Sequence, residues 1–150
     1  MVIQRIQTLF LVIAVAFAVI FLFVPYGYAD MVSADGVAAR ESLKAIMETG
    51  LWLPTVVSVA LMVIAIFTFK KMAVQKLFVV FSALLTGACI IAVVYVLASG
   101  YTDVTPGVTV AKTYWGGGGL IALAALICQI MAIRGISSDQ KILKSCDSFR

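Results

Sequence analysis

The sequence predicts an all-α membrane protein with four transmembrane helices, both termini on the cytoplasmic side, a small extracytoplasmic cap and a cytoplasmic C-terminal amphipathic helix. Three observations lead there. Of 150 residues, 63% are hydrophobic and only 12% charged, whereas soluble domains are about half apolar and about a quarter charged. Mean hydropathy is +1.14. The apolar residues also gather in four runs without Asp, Glu, Lys or Arg, at about 6–24, 51–69, 77–98 and 116–133. Each approaches the roughly 20 helical residues that cross a hydrocarbon core. The chain therefore reads as one membrane domain over 1–150, with loops at 25–50 and 99–115 and a tail at 134–150.

The first run carries Gly27 and Ala29 just beyond it, the small residues of a signal-peptidase site. It is nevertheless longer than the roughly 7–15 apolar residues of a secretory leader, so a retained anchor is expected. The first loop opens with the interfacial aromatics Tyr26 and Tyr28 and passes a turn at Asp35-Gly36. From Val37 to Glu48 it reads as a short helix, with Leu43, Ile46 and Met47 on one side and Arg40, Glu41, Lys44 and Glu48 as the polar residues. Lys44 stands four residues from both Arg40 and Glu48, and the Lys44–Glu48 spacing suits a weak ion pair. Gly50 is read as its end, and Trp52 marks the next interface.

The second run ends at Lys70 and Lys71, and the fourth at Arg134, cations that suit helix C-termini and reach the headgroups. The second loop holds two β-prone stretches, Tyr101 to Val104 and Val108 to Val110, across Pro106-Gly107. That pattern predicts a hairpin. Because an isolated hairpin is marginal in water, it needs a third strand, expected at Ala29 to Ser33, or support from the first-loop helix. Beyond Arg134, Ile142, Cys146 and Phe149 recur at helical spacing and form a candidate docking face for a partner or the inner leaflet.

Orientation follows from the cations. Arg5, Lys70, Lys71, Lys76, Arg134, Lys141, Lys144 and Arg150 fall on the side of the termini, and Arg40, Lys44 and Lys112 on the other. The positive-inside rule then puts the termini in the cytoplasm. The net charge of +4 is scattered among apolar runs rather than gathered on a solvated face, which argues against nucleic acid as a partner. Membrane lipids, and another membrane protein, are the expected partners.

Little in the sequence supports chemistry. There is no histidine, and the three cysteines, Cys89, Cys128 and Cys146, make neither a CxxC pair nor a disulfide framework. No metal, no cofactor and no catalytic set is expected, although Asp30, Asp35, Glu41, Glu48 and Asp103 share the outer side and loops can converge on a carboxylate pair. Gly116, Gly117, Gly118 and Gly119 follow Trp115 and open the fourth run. They admit two readings: close approach of another helix, or a lipid headgroup held by backbone N–H groups. Gln129, the most polar residue of the crossing runs, suits an interhelical hydrogen bond. Arg5 is expected to pair with Asp139 or Asp147 and tie the two ends of the chain together.

The opening Gln4-Arg5-Ile6-Gln7-Thr8-Leu9-Phe10 and the ending Ala132-Ile133-Arg134-Gly135-Ile136, followed by Asp139, Leu143, Lys144-Ser145, Asp147 and Arg150, resemble the terminal signatures of a bacterial four-helix membrane family catalogued as domain of unknown function 4293. Lys70-Lys71, Gln75-Lys76 and the aromatic-glycine entry to the fourth run extend the resemblance along the chain. Gln140 and Ser148 stand where the family has a further acid and a second arginine. The resemblance implies a bacterial inner-membrane location and brings no activity with it. The expected function is a non-enzymatic accessory or scaffolding subunit of an envelope complex. The alternatives are a lipid-binding protein using the glycine entrance and a small enzyme with carboxylates under the cap.

Overall fold

A computed structural model describes residues 2–33, 38–68, 71–99 and 108–147. Four helices carry the chain: α1 (Val2–Phe23), α2 (Thr49–Phe67), α3 (Met72–Ser99) and α4 (Gly118–Asp147). All four are long and apolar enough to cross a membrane. α1 packs mainly on α4, α2 on α3, and α3 on α4, with a lighter α1–α2 contact, so the four close into a ring in chain order. Small residues sit where helices meet: Ala14, Ala18, Ala65, Ala122, Ala125 and Ala132 are all buried. In lipid there is no hydrophobic drive between helices, and close packing of small side chains takes over that role.

Between and beyond the helices lie three strands, β1 (Pro25–Ser33), β2 (Ala38–Lys44) and β3 (Val108–Trp115), in one antiparallel sheet of order β2-β1-β3. The fold is therefore four helices plus a sheet at one end of the bundle, rather than all-α. The helix expected over 37–48 is strand β2 followed by a single 3-10 turn, Ala45–Met47. Ala38 to Lys44 has helical propensity, but a helix this short is marginal in water, whereas pairing with β1 satisfies its backbone and lets Leu43 bury opposite Gly27. Arg40 accordingly pairs across the strand with Asp30 instead of standing in a helical charge row. Gly50 lies in the first turn of α2 and ends nothing.

The strand expected at Ala29 to Ser33 is present, longer, and central. In the second loop, 101–107 lies outside the described residues, and Val108–Trp115 pairs with β1. The Asp35-Gly36 turn also falls outside them. The predicted tail helix is not a separate element: α4 runs unbroken through Arg134 and Gly135 for 30 residues, about 45 Å at 1.5 Å per residue. That exceeds a hydrocarbon core of about 30 Å.

The buried side chains form three clusters. One, around Phe21, Tyr26, Met31, Leu43, Leu51 and Leu97, joins the sheet to the helix ends. A second, with Leu11, Val79 and Ile136, fills the opposite end. Ala14, Ala18 and Met62 form a third.

Candidate functional site

A layer of polar side chains fastens three helices in the bundle interior. Ser58 of α2 donates to the Ser82 carbonyl at 3.2 Å and lies 3.1 Å from the Thr86 hydroxyl, which itself donates to the Ser82 carbonyl at 3.0 Å. From α4, the Gln129 amide Nε2 reaches Thr86 Oγ1 at 3.1 Å and Met62 Sδ at 3.2 Å. Gln129 is fully buried. Its Oε1 has no partner, which in a dry interior costs about 1–3 kcal/mol. Thr55 extends the layer toward the sheet, donating to Leu51 O at 2.7 Å and lying 3.6 Å from Cys89 Sγ.

A second feature lies between α3 and α4 next to the sheet. It is an apolar groove of about 70 Å³. Ile90, Val93 and Val94 form one wall, and Trp115, Gly119 and Leu123 contribute to the other. Trp115 is two-thirds exposed. The four glycines beside it divide into two kinds. A Cβ on Gly116 would come within 2.5 Å of Pro25 O, and one on Gly118 within 2.8 Å of Val24 O, because the α1–β1 junction passes directly over them. Gly116 N also donates to Tyr26 O at 2.8 Å. At Gly117 and Gly119 an added Cβ would meet nothing. The close approach thus comes from strand backbone, not from the neighbouring helix that the sequence suggested.

On the outer side of the sheet, Arg40 Nε donates to Asp30 Oδ1 at 2.8 Å, and its guanidinium carbon stands 5.1 Å from the Tyr114 ring centre. The hydrogen bond from Arg40 holds the Asp30 carboxyl below the ordinary carboxylate range. Glu48 accepts from the buried Tyr26 hydroxyl at 2.7 Å. Among the described residues no three Cys, Asp or Glu side chains gather as metal ligands.

A family model described as a domain of unknown function, DUF4293, matches residues 3–149. The chain belongs to the DUF4293 family. No curated protein matches its sequence.

At the end of this DUF4293 chain remote from the sheet, Asp139 is buried and accepts a 2.5 Å hydrogen bond from Gln7 Nε2. Gln7 lies across Gly135, where a Cβ would meet its Cγ at 2.8 Å. Asp139 therefore does join the two ends of the chain, through Gln7. The side chains of Arg5, expected to pair with Asp139 or Asp147, and of Asp147 itself lie outside the described residues. So do the side chain of Cys146 and the whole of Phe149, while Ile142 is half exposed on α4. Of the acids that the sequence reading assigns to the outer side, Asp30 and Glu48 are engaged as above and Glu41 is exposed on β2, while Asp35 and Asp103 fall outside the described residues. The Ser58–Ser82–Thr86 cluster escaped sequence reading. Its signal was present, since Ser82 and Thr86 are four apart and so share a helix face.

Proposed function

We propose that this DUF4293 protein is a non-enzymatic accessory or scaffolding subunit of a cell-envelope complex, resident in the bacterial inner membrane with both termini cytoplasmic. The buried polar layer carries the reading. Ser58, Ser82, Thr86 and Gln129 bond to one another across α2, α3 and α4, and so act as fasteners rather than as a path or a reacting set. Pumps and channels keep ionisable groups or broken helices at membrane depth, whereas the four apolar runs here are charge-free. What the molecule offers a partner is surface: exposed apolar side chains such as Phe67 and Ile91 along the helices, and a sheet face bearing Tyr114 and the Asp30–Arg40 pair.

The orientation is supported by eight of the eleven cations lying on the flank of the termini, which turns the sheet toward the periplasm. A membrane-impermeant thiol reagent added to intact spheroplasts is expected to leave Cys146 unlabelled until the bilayer is permeabilised. Labelling before that point would reverse the topology. For the scaffolding role, purification in mild detergent is expected to yield a stoichiometric complex with another membrane protein. A lone monomer, also free of neighbours by proximity labelling in cells, would overturn it.

A further inference from the structure

We propose that the 3-10 turn Ala45–Met47, between β2 and α2, is seated in the lipid leaflet on the sheet side of the membrane and anchors the β2 edge of the sheet there. This rests on the helices crossing a bilayer, and on neither the scaffolding role nor the orientation. The turn packs on α1 and α2, with Ala45 fully buried. Its other two residues face outward: Ile46 is 44% and Met47 69% exposed. A single exposed apolar residue is ordinary. Here two large ones are followed by further exposed ones at the start of α2, Trp52 and Leu53, and then by Val56 and Val57. Along the chain, the apolar surface that α2 turns to lipid thus continues onto the turn.

The length of α2 supplies an independent observation. Its 19 residues extend about 28 Å at 1.5 Å each, close to a hydrocarbon core of about 30 Å. Lys70 and Lys71 follow the helix and hold that end at the headgroups. Thr49, its first residue, therefore lies at the opposite boundary of the core, and Met47 stands two residues before it. Trp52, an aromatic of the kind that marks an interface, lies in the same first turn of the helix. Ile46 and Met47 are thus at the level where an apolar surface sinks about 5–10 Å into the boundary between headgroups and acyl chains.

The charges beside the turn are compatible with that depth. Glu48 accepts from the buried Tyr26 hydroxyl at 2.7 Å, which turns its carboxylate inward rather than toward lipid. Lys44 is half-buried, and a lysine stem lies along apolar surface while its ammonium reaches the headgroups. The turn itself carries no charge. Lipid is the occupant to expect, because the exposed face of α2 with which the turn is continuous already meets lipid at its own depth. The sheet is then held at both edges, β3 by its short link to α4 and β2 by the leaflet.

The test is spin labelling of the full-length protein in vesicles of phosphatidylethanolamine and phosphatidylglycerol. In a background with Cys89, Cys128 and Cys146 replaced by alanine, Met47→Cys carries the label. Ile46→Cys is the second site, and decides if the first variant misfolds by size exclusion. Glu41→Cys, exposed on β2, reports water, and Leu84→Cys, 64% exposed on α3, reports lipid. At Met47 and Ile46 the expected result is the Leu84 pattern, relaxation by oxygen with loss of the relaxation by a water-soluble nickel chelate that Glu41 shows. Nickel access equal to that at Glu41 would overturn the proposal. A label immobilised and shielded from both reagents would overturn it in favour of a protein surface, a second copy included, over the turn. Nickel access at Leu84 as well would remove the membrane crossing on which the proposal rests.

Discussion

Residues of one type have opposite roles within two positions of each other. Gly116→Ala places a methyl within 2.5 Å of Pro25 O, and neither group can retreat without moving β1. A loss of about 1–3 kcal/mol is expected, the usual cost of overpacking. Gly117→Ala, with open space around it, is expected to be neutral or to stabilise by about 0.4–1 kcal/mol through the unfolded chain. Thermal or denaturant unfolding in detergent separates the two. The Asp30–Arg40 pair has its own signature. Its carboxyl is held below the ordinary range by Arg40, so the stabilisation it gives is present above the ordinary carboxylate pKa and disappears as pH falls through the folded value. Arg40→Gln should return the Asp30 titration toward the ordinary range, measured by carboxyl NMR. An unchanged titration would mean that the pair is not formed in solution.

Elements differ in how far the sequence disclosed them. The four helices were legible because twenty apolar residues without a charge admit one structure in lipid, where every backbone group must bond within its own segment. The sheet was only half legible. Ala29 to Ser33 and Val108 to Val110 read as β-prone, but Ala38–Lys44 carries Ala, Arg, Glu and Lys and reads as helix until the partner strand is known. Long-range pairing decided it, and periodicity holds no record of a register such as Tyr28 opposite Ser42. In a background without native cysteines, Tyr28→Cys with Ser42→Cys is expected to cross-link on mild oxidation, while Ala29→Cys with Ser42→Cys, on opposite faces, is not. Equal yields in both, read on a non-reducing gel, would reinstate the helix.

At the scale of the whole molecule, the ring of helices is held at two levels, by the Gln7–Asp139 bond at one end and by the polar layer in the interior. Gln129 was recognisable as a hydrogen-bonding residue; the polar face of Ser82 and Thr86 was also visible in their spacing, but nothing local says that this face meets Gln129. The unpartnered Oε1 makes the layer asymmetric in its response to mutation. Gln129→Leu removes two bonds, each worth on the order of 0.6 kcal/mol in lipid, together with the orphan acceptor, and is expected to change stability by less than about 1 kcal/mol. Thr86→Val deprives both Ser58 and Gln129 of a partner while leaving their polar atoms buried, and is expected to cost about 2 kcal/mol. Chemical denaturation in micelles would rank them, and the reverse order would mean that Gln129 carries the layer.

Only Val24 stands between α1 and β1, and only Gly116 and Gly117 between β3 and α4. Two of the three strands are thus joined by very short connections to the pair of helices that pack most closely on each other. The position of the sheet is therefore set by α1 and α4 together, the two helices whose far ends meet at Gln7 and Asp139.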